Sequence, residues 1–261
     1  MSLLIKDKKF SKAHPKLRPI AVVRGGKHDK KLVLFNEDPE SGYDSITLEG
    51  DKGKFQVLPR TSGNNEKLYV CGTSGSGKSY YIAQWIKEFK KNKDKRDYPI
   101  YIFSSVDEDS TLDDLPDVER IPIDETLISE PLNAQDLSNS LVIFDDVDTI
   151  SNTMLRKIVI NFRNHLSETA RHYDITMLCT SHVITNYSHT RILLQEATSV
   201  TVFPRSSGLF MIRQYLEKQI GLSKNQIKRF VKQKSRAVTL YKQYLPFVVS
   251  EKEIYMLNDD E

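Results

Sequence analysis

Residues 70–81 read VCGTSGSGKSYY, and the spacing from Gly72 to Ser79 is G-x-x-x-x-G-K-S. An apolar run, KLYV, precedes it, and a run with helical spacing, SYYIAQWIKEFKK, follows. That context, a strand leading through a glycine loop into a helix, is what a phosphate-binding loop requires. The backbone N–H groups of such a loop point inward around phosphate oxygens, and the helix N-terminus adds its positive dipole end. Gly72, Gly75 and Gly77 supply backbone conformations that a Cβ forbids. Lys78 is placed to reach the terminal phosphates and the Ser79 hydroxyl to ligate Mg²⁺. The expected cradle is therefore Gly72, Thr73, Ser74, Gly75, Ser76, Gly77, Lys78, Ser79 and Tyr80.

A phosphate loop of this kind needs a second acid for the metal. The stretch SLVIFDDVD supplies one, with Asp145 sixty-seven residues after Lys78. A carboxylate at the end of a buried strand sits at the mouth of an open α/β sheet, where ligands bind. Asp145 is accordingly the candidate to hold Mg²⁺, and Asp146 the candidate to orient or deprotonate the attacking water. A helix N-cap is the competing use for Asp146, one that Asp148 or Thr149 would serve equally well. A third strand, ITMLCTSH, ends in Thr180, Ser181 and His182. Placed beside LVIF, these polar ends meet the γ-phosphate and report its presence. No arginine-rich closing lid of the small-molecule kinase kind is evident.

Working outward, KLYVC, PIYIF, SLVIFDD, ITMLCTS and SVTVF alternate with helical patterns, which indicates a parallel sheet covered on both faces. Before Arg60 the pattern is β-like, with PIAVVRG, KLVLF and SITLEGDKGKFQVLP. Asp51, Lys52 and Gly53 look like the turn of a hairpin in the last of these. The polar stretch TSGNNE, 61–66, is the candidate linker. Two domains follow: a β-rich N-terminal extension over 1–64, and a P-loop ATPase domain over 65–261 with basic helices and closing strands near its end. In that tail, Gly221 marks a helix stop and Ser223 the next cap, and RAVTLYK and PFVVS read as strands.

The net charge is only +3, but its distribution is uneven. Residues 1–34 carry ten Lys/Arg against Asp7 and Asp29, and 107–130 carry ten acids against Arg120. Residues 205–244 carry ten Lys/Arg against Glu217 alone. Both basic segments suit phosphate contact, and Lys224, Lys228 and Lys232 fall on one helix face at intervals of four. No apolar run approaches the roughly 20 residues of a membrane span, and no apolar core of signal-peptide length opens the sequence. Cys71 and Cys179 fall in expected buried strands, and the expectation is a reducing, intracellular setting.

Taken together, GTSGSGKS, LVIFDD, the pair Arg171 and His182 eleven residues apart, and SRAVTLYKQYLPFVVS resemble the FtsK–HerA superfamily of DNA motors. Within it, they are similar to the genome-packaging ATPases of large DNA viruses and virophages. The resemblance covers about residues 66–250. It implies an ASCE/RecA-like P-loop fold and ATP with Mg²⁺ as ligands. It further implies a homo-oligomeric ring, pentameric or hexameric, around double-stranded DNA that is moved into a preformed capsid at an intracellular viral assembly site. It makes Arg171 the arginine inserted into a neighbouring subunit's nucleotide site, with Arg163 and Arg191 as alternatives. Two departures stand out: many members have Glu where this chain has Asp146, and Gln where it has His182. Another FtsK–HerA-type DNA translocase is the alternative within enzymes, and the two departures keep open a further class, a nucleotide-dependent switch or scaffold that binds ATP without hydrolysis.

Overall fold

The computed structural model describes residues 2–7, 17–36, 42–60, 65–106, 108–242 and 246–257. The chain forms two compact units, the first Met1–Gly63 together with Val202–Glu261 and the second Asn64–Thr201. Most of the expected linker, residues 61–64, lies outside the described residues, as do residues 8–16 of the first basic segment.

The N-terminal part of the first unit holds β1 (Ser2–Lys6), β2 (Leu17–Arg24), β3 (Leu32–Asn36), β4 (Ser45–Thr47) and β5 (Lys54–Val57). An antiparallel sheet runs in the order β1-β3-β2-β5. Val22, Leu32 and Leu34 pack together with Leu4, Leu17 and Leu58. The expected hairpin at 51–53 is not formed: β5 pairs with β2, and β4 joins another sheet. The two strands take distant partners, β2 and β14, and the turn between them is irregular. Asp51 turns its carboxylate to the backbone N–H groups of Lys27, at 3.1 Å, and Gly53, at 2.9 Å, which fixes an irregular turn. A Cβ on Gly26, where φ is +72°, would meet that carboxylate at 1.7 Å.

The second unit is the α/β body. Its elements are β6 (Lys67–Cys71), α1 (Lys78–Phe89), β7 (Ile100–Ser104), α2 (Ser110–Asp113) and β8 (Val118–Arg120). There follow α3 (Thr126–Ser129), β9 (Leu141–Asp145), α4 (Thr153–Thr169), β10 (Thr176–Ser181), α5 (Tyr187–Glu196) and β11 (Ser199–Val202). The strand order is β11-β6-β10-β9-β7-β8. The pairs β6–β10, β10–β9, β9–β7 and β7–β8 are all parallel. This is the P-loop sheet expected from the sequence, with β10 lying between the glycine-loop strand and the acid-bearing strand.

Helices cover this sheet through apolar stripes of period 3.6. α1 buries Ile82, Trp85, Ile86 and Phe89, with Trp85 stacked on Phe89 at 5.5 Å. From α4, Phe162 packs on Phe103 and Phe144, 6.0 and 6.3 Å away, and those two stack on each other at 5.0 Å. Cys71 and Cys179 are both buried, and burial pushes each thiol up to about 12. Neither is a reactive thiolate.

The rest of the first unit holds α6 (Leu209–Tyr215), which continues as a π-helical turn over Leu216–Ile220 and stops at Gly221 with φ 81°. Ser223 opens α7 (Lys224–Val231) in a reciprocal capping box with Gln226, as expected. Lys224, Lys228 and Lys232 are all exposed. The chain closes through β12 (Val238–Tyr241), β13 (Phe247–Ser250) and β14 (Glu253–Met256), and β14 pairs antiparallel with β4. Among the described residues no helix is long and apolar enough to cross a membrane.

Candidate functional site

The strand ends of the parallel sheet converge on the glycine loop. Gly72 N–H donates to the Ser181 carbonyl at 3.0 Å, which ties the loop to the end of β10. Gly75 and Gly77 have φ +72° and +106°, a region closed to most side chains, and Gly77 leads directly into α1. α1 has no acidic residue in its first turn, so its positive end is not neutralised locally. Thr73, Ser74 and Tyr80 are exposed, Ser76 is buried and Ser79 half-buried.

Lys78 is only 7% exposed. Its Nζ donates to the Gly72 carbonyl at 2.9 Å and lies 3.2 Å from Asp146 Oδ2 and 3.4 Å from His182 Nδ1. His182 Nε2 is itself 3.2 Å from Asp146 Oδ2. Lysine, acid and imidazole thus form one cluster at the rim of the loop. An incoming phosphate would take Lys78 from its internal acceptors.

Asp145 and Asp146 are held by β10. Thr180 Oγ1 stands 2.8 Å from Asp145 Oδ1 and 3.0 Å from Asp146 Oδ1, and it accepts the Asp146 N–H at 2.8 Å. Ser104, opposite Asp145 in the β7–β9 register, donates to Asp145 Oδ2 at 3.1 Å. Burial, then the neighbouring charge of Asp146, raises the Asp145 carboxyl above its ordinary value. Asp146 has φ 46°, so its side chain leaves the strand alternation and turns to Lys78. It makes no capping bond. Asn152 caps α4 instead, accepting from Met154 N and Leu155 N at 3.0 and 3.2 Å.

Of the three candidate arginines, none joins this cluster. Arg163 is 2% exposed and donates to the His189 carbonyl and to Asn164 Oδ1, so it is committed inside its own unit. Arg191 lies exposed on α5. Arg171 is exposed in the turn before β10, whereas the glycine loop adjoins the other end of that strand. The length of β10 separates them by roughly 16–20 Å at about 3.3 Å per residue. Arg171 cannot serve the loop of its own chain.

Known proteins place the chain more narrowly. It is 37% identical over 237 residues to uncharacterized protein V3 of Sputnik virophage, with 90% of this chain and 93% of V3 aligned. The chain belongs to the V3 family. No protein-family model matches it. Among solved structures, the genome packaging NTPase B204 of Sulfolobus turreted icosahedral virus 2 is 15% identical over 76% of this chain and 98% of B204, with a TM-score of 0.39. The DNA-packaging ATPase B204 of Sulfolobus turreted icosahedral virus is 13% identical over 72% and 98%, with a TM-score of 0.46. EssC of Geobacillus thermodenitrificans is 14% identical over 95% of this chain and 46% of EssC, with a TM-score of 0.43.

In this V3-family chain, sequence reading missed one hydroxyl at the site, Ser104, which braces Asp145. Ser181, named among the polar strand ends, donates to Asp148 Oδ2 at 2.9 Å. The signal was present for Ser104: PIYIF is followed by a polar residue just as LVIF is followed by Asp145, and parallel register aligns the two ends.

Proposed function

We propose that this chain is an ATP-hydrolysing motor that moves double-stranded DNA into a viral capsid. The observation that carries the hydrolytic part is the position of Asp146, with its carboxylate on Lys78 and His182 rather than on a helix end. A carboxylate displaced from Lys78 by the γ-phosphate is left beside that phosphate, where the attacking water must be oriented. The loop N–H groups and Lys78 hold the phosphates. His182, in reach of both Lys78 and Asp146, exchanges partners when the γ-phosphate arrives or leaves.

Mg²⁺ fits the donors present. Among the described residues no cluster of three His, Cys, Asp or Glu could hold a metal on its own. A hydroxyl at Ser79 and a single buried carboxylate at Asp145 suit a cation that keeps its waters and binds mainly through substrate phosphates. When bound, Mg²⁺ supplies charge neutralisation on the phosphates. Asp145 is oriented for that role by Ser104 and Thr180.

Arg171 completes the site from a neighbouring copy, in a ring of five or six subunits. Its exposure and its distance from its own loop support action in trans. The exposed Lys224, Lys228 and Lys232 supply contacts to the phosphate backbone, independent of base sequence. ATP rather than GTP, the ring and the viral assembly site in the host cell come from the FtsK–HerA resemblance. Steady-state phosphate release with and without duplex DNA tests the proposal. DNA-stimulated release is expected, while ATP binding with no release under either condition would leave the chain a nucleotide-dependent switch.

A further inference from the structure

The turn that carries Arg171 is fastened to the segment following α1. Tyr173 N and Ile175 N both return to the Ala170 carbonyl, at 3.2 and 3.0 Å, and Asn139 N donates to the Tyr173 carbonyl at 2.9 Å. Arg171 and His172 are left exposed on this turn. Asp174 sits at φ 52°, a conformation that a non-glycine residue keeps only where its surroundings over-determine it. The surroundings are specific. Lys95 Nζ donates to Asp174 Oδ1 at 2.7 Å and to Asn65 Oδ1 at 3.1 Å, and it lies 4.6 Å over the Tyr98 ring. The Tyr98 hydroxyl donates to Asp174 Oδ2.

Lys95 and Tyr98 are themselves braced. Lys90, at the end of α1, donates to the Arg96 carbonyl at 3.0 Å, the Tyr98 carbonyl at 2.6 Å and Asp117 Oδ2 at 2.8 Å. Burial works to raise the Asp174 carboxyl, but the bonds from Lys95 and Tyr98 outweigh it and hold the group below its ordinary value. Burial and the Asp174 bond push the Tyr98 phenol up to about 12, so it remains a donor. A chain of fixed contacts thus runs from Lys90, at the C-terminal end of α1, to the turn that exposes Arg171.

We propose that Lys95, Tyr98 and Asp174 are positioning residues: they clamp the 170–175 turn so that Arg171 is presented in one direction to the nucleotide site of a second copy of this chain. This rests on the reading of Arg171 as acting in trans. Position matters there, because a misplacement of about 1 Å in a group that must meet a reacting phosphoryl costs on the order of 10²-fold in rate. The clamp touches neither the glycine loop nor the acids, so its loss acts on the neighbour's site and not on its own.

Mixed assemblies of full-length chains separate these roles. Arg171→Ala subunits keep an intact site and receive fingers from Lys78→Ala donors. The donors are Lys78→Ala alone, Lys78→Ala with Asp174→Ala, and Lys78→Ala with Lys95→Gln. Incorporation is matched by native mass spectrometry, and folding is checked by circular dichroism melting. Lys95→Gln retains the Tyr98 bond to Asp174 and serves if Asp174→Ala does not fold. The expected result is phosphate release restored by the first donor, and restored at least about tenfold less by the clamp-broken donors. Equal restoration by all folded donors overturns the clamp while leaving Arg171 in trans intact. No restoration by the first donor, in assemblies containing both subunits, overturns the reading of Arg171 and the clamp with it.

Discussion

Asp146→Asn should move nucleotide affinity and turnover in opposite directions. Asp146 Oδ2 is 3.2 Å from Lys78 Nζ, with side chains only 17% and 8% exposed, so a bound phosphate would compete with the carboxylate for one ammonium. A hydrogen bond to a charged group contributes about 1.5–3 kcal/mol, roughly twice a neutral one. The asparagine amide oxygen can still accept from Lys78, so the substitution removes about 1 kcal/mol of competition, equivalent to about fivefold tighter ATP binding. Losing the group that activates water costs about 10²–10⁴-fold in turnover, or about 2.7–5.4 kcal/mol of barrier. Binding is read by equilibrium titration with a fluorescent ATP analogue, and turnover by single-turnover phosphate release. Turnover at the parental rate would refute the assignment and shift attention to Asp148, whose Oδ2 already accepts from Ser181. Weakened ATP binding would refute the competition argument.

Three further outcomes follow from the same contacts. The raised Asp145 carboxyl favours the fold while protonated, and that contribution is lost as pH rises from 3.8 through the raised native value. Asp145→Asn should therefore melt higher than the parent at pH 7 in metal-free, nucleotide-free buffer, with the gap closing toward pH 3; equal melting at pH 7 would contradict the burial argument. Replacing Lys224, Lys228 and Lys232 by Gln should flatten the logarithmic salt dependence of duplex binding by about 0.9 per lost contact, up to about 2.7, as read by fluorescence anisotropy. An unchanged slope would remove this face from the DNA contact. Trp85→Ala empties a fully buried site stacked on Phe89 and should cost about 3–5 kcal/mol in urea unfolding. A loss under about 1 kcal/mol would be incompatible with the α1 packing.

The parallel body was legible because its strands are buried on both faces and spell continuous apolar runs. Leu141–Asp145 and Thr176–Ser181 are buried throughout, and polar residues mark their ends. β8 was not legible. Val118–Arg120 has three residues inside an acidic stretch, and among the described residues it pairs with β7 alone, at the sheet edge. The hairpin reading failed because alternation identifies strands but not partners. Nothing in SITLEGDKGKFQVLP says that its halves enter different sheets, a choice fixed by the distant β2 and β14. At the site, motif spacing located the acids, but the left-handed backbone of Asp146 and the shared Thr180 hydroxyl follow from register. Arg163 shows the limit of reading charge from sequence, because its burial against the His189 carbonyl has no local signature.

The pairing of β4 with β14 imposes an order on folding during synthesis. Ile46 finds its partner in Ile254, 208 positions later. At about 5–20 residues per second, β4 waits about 10–40 s on the ribosome for that partner to be made. β1, β2, β3 and β5 can close their own sheet meanwhile, since all four have been translated by Val57. The parallel body, complete by Thr201, also precedes β14. The parallel body can thus be complete while β4 still presents an unpaired edge.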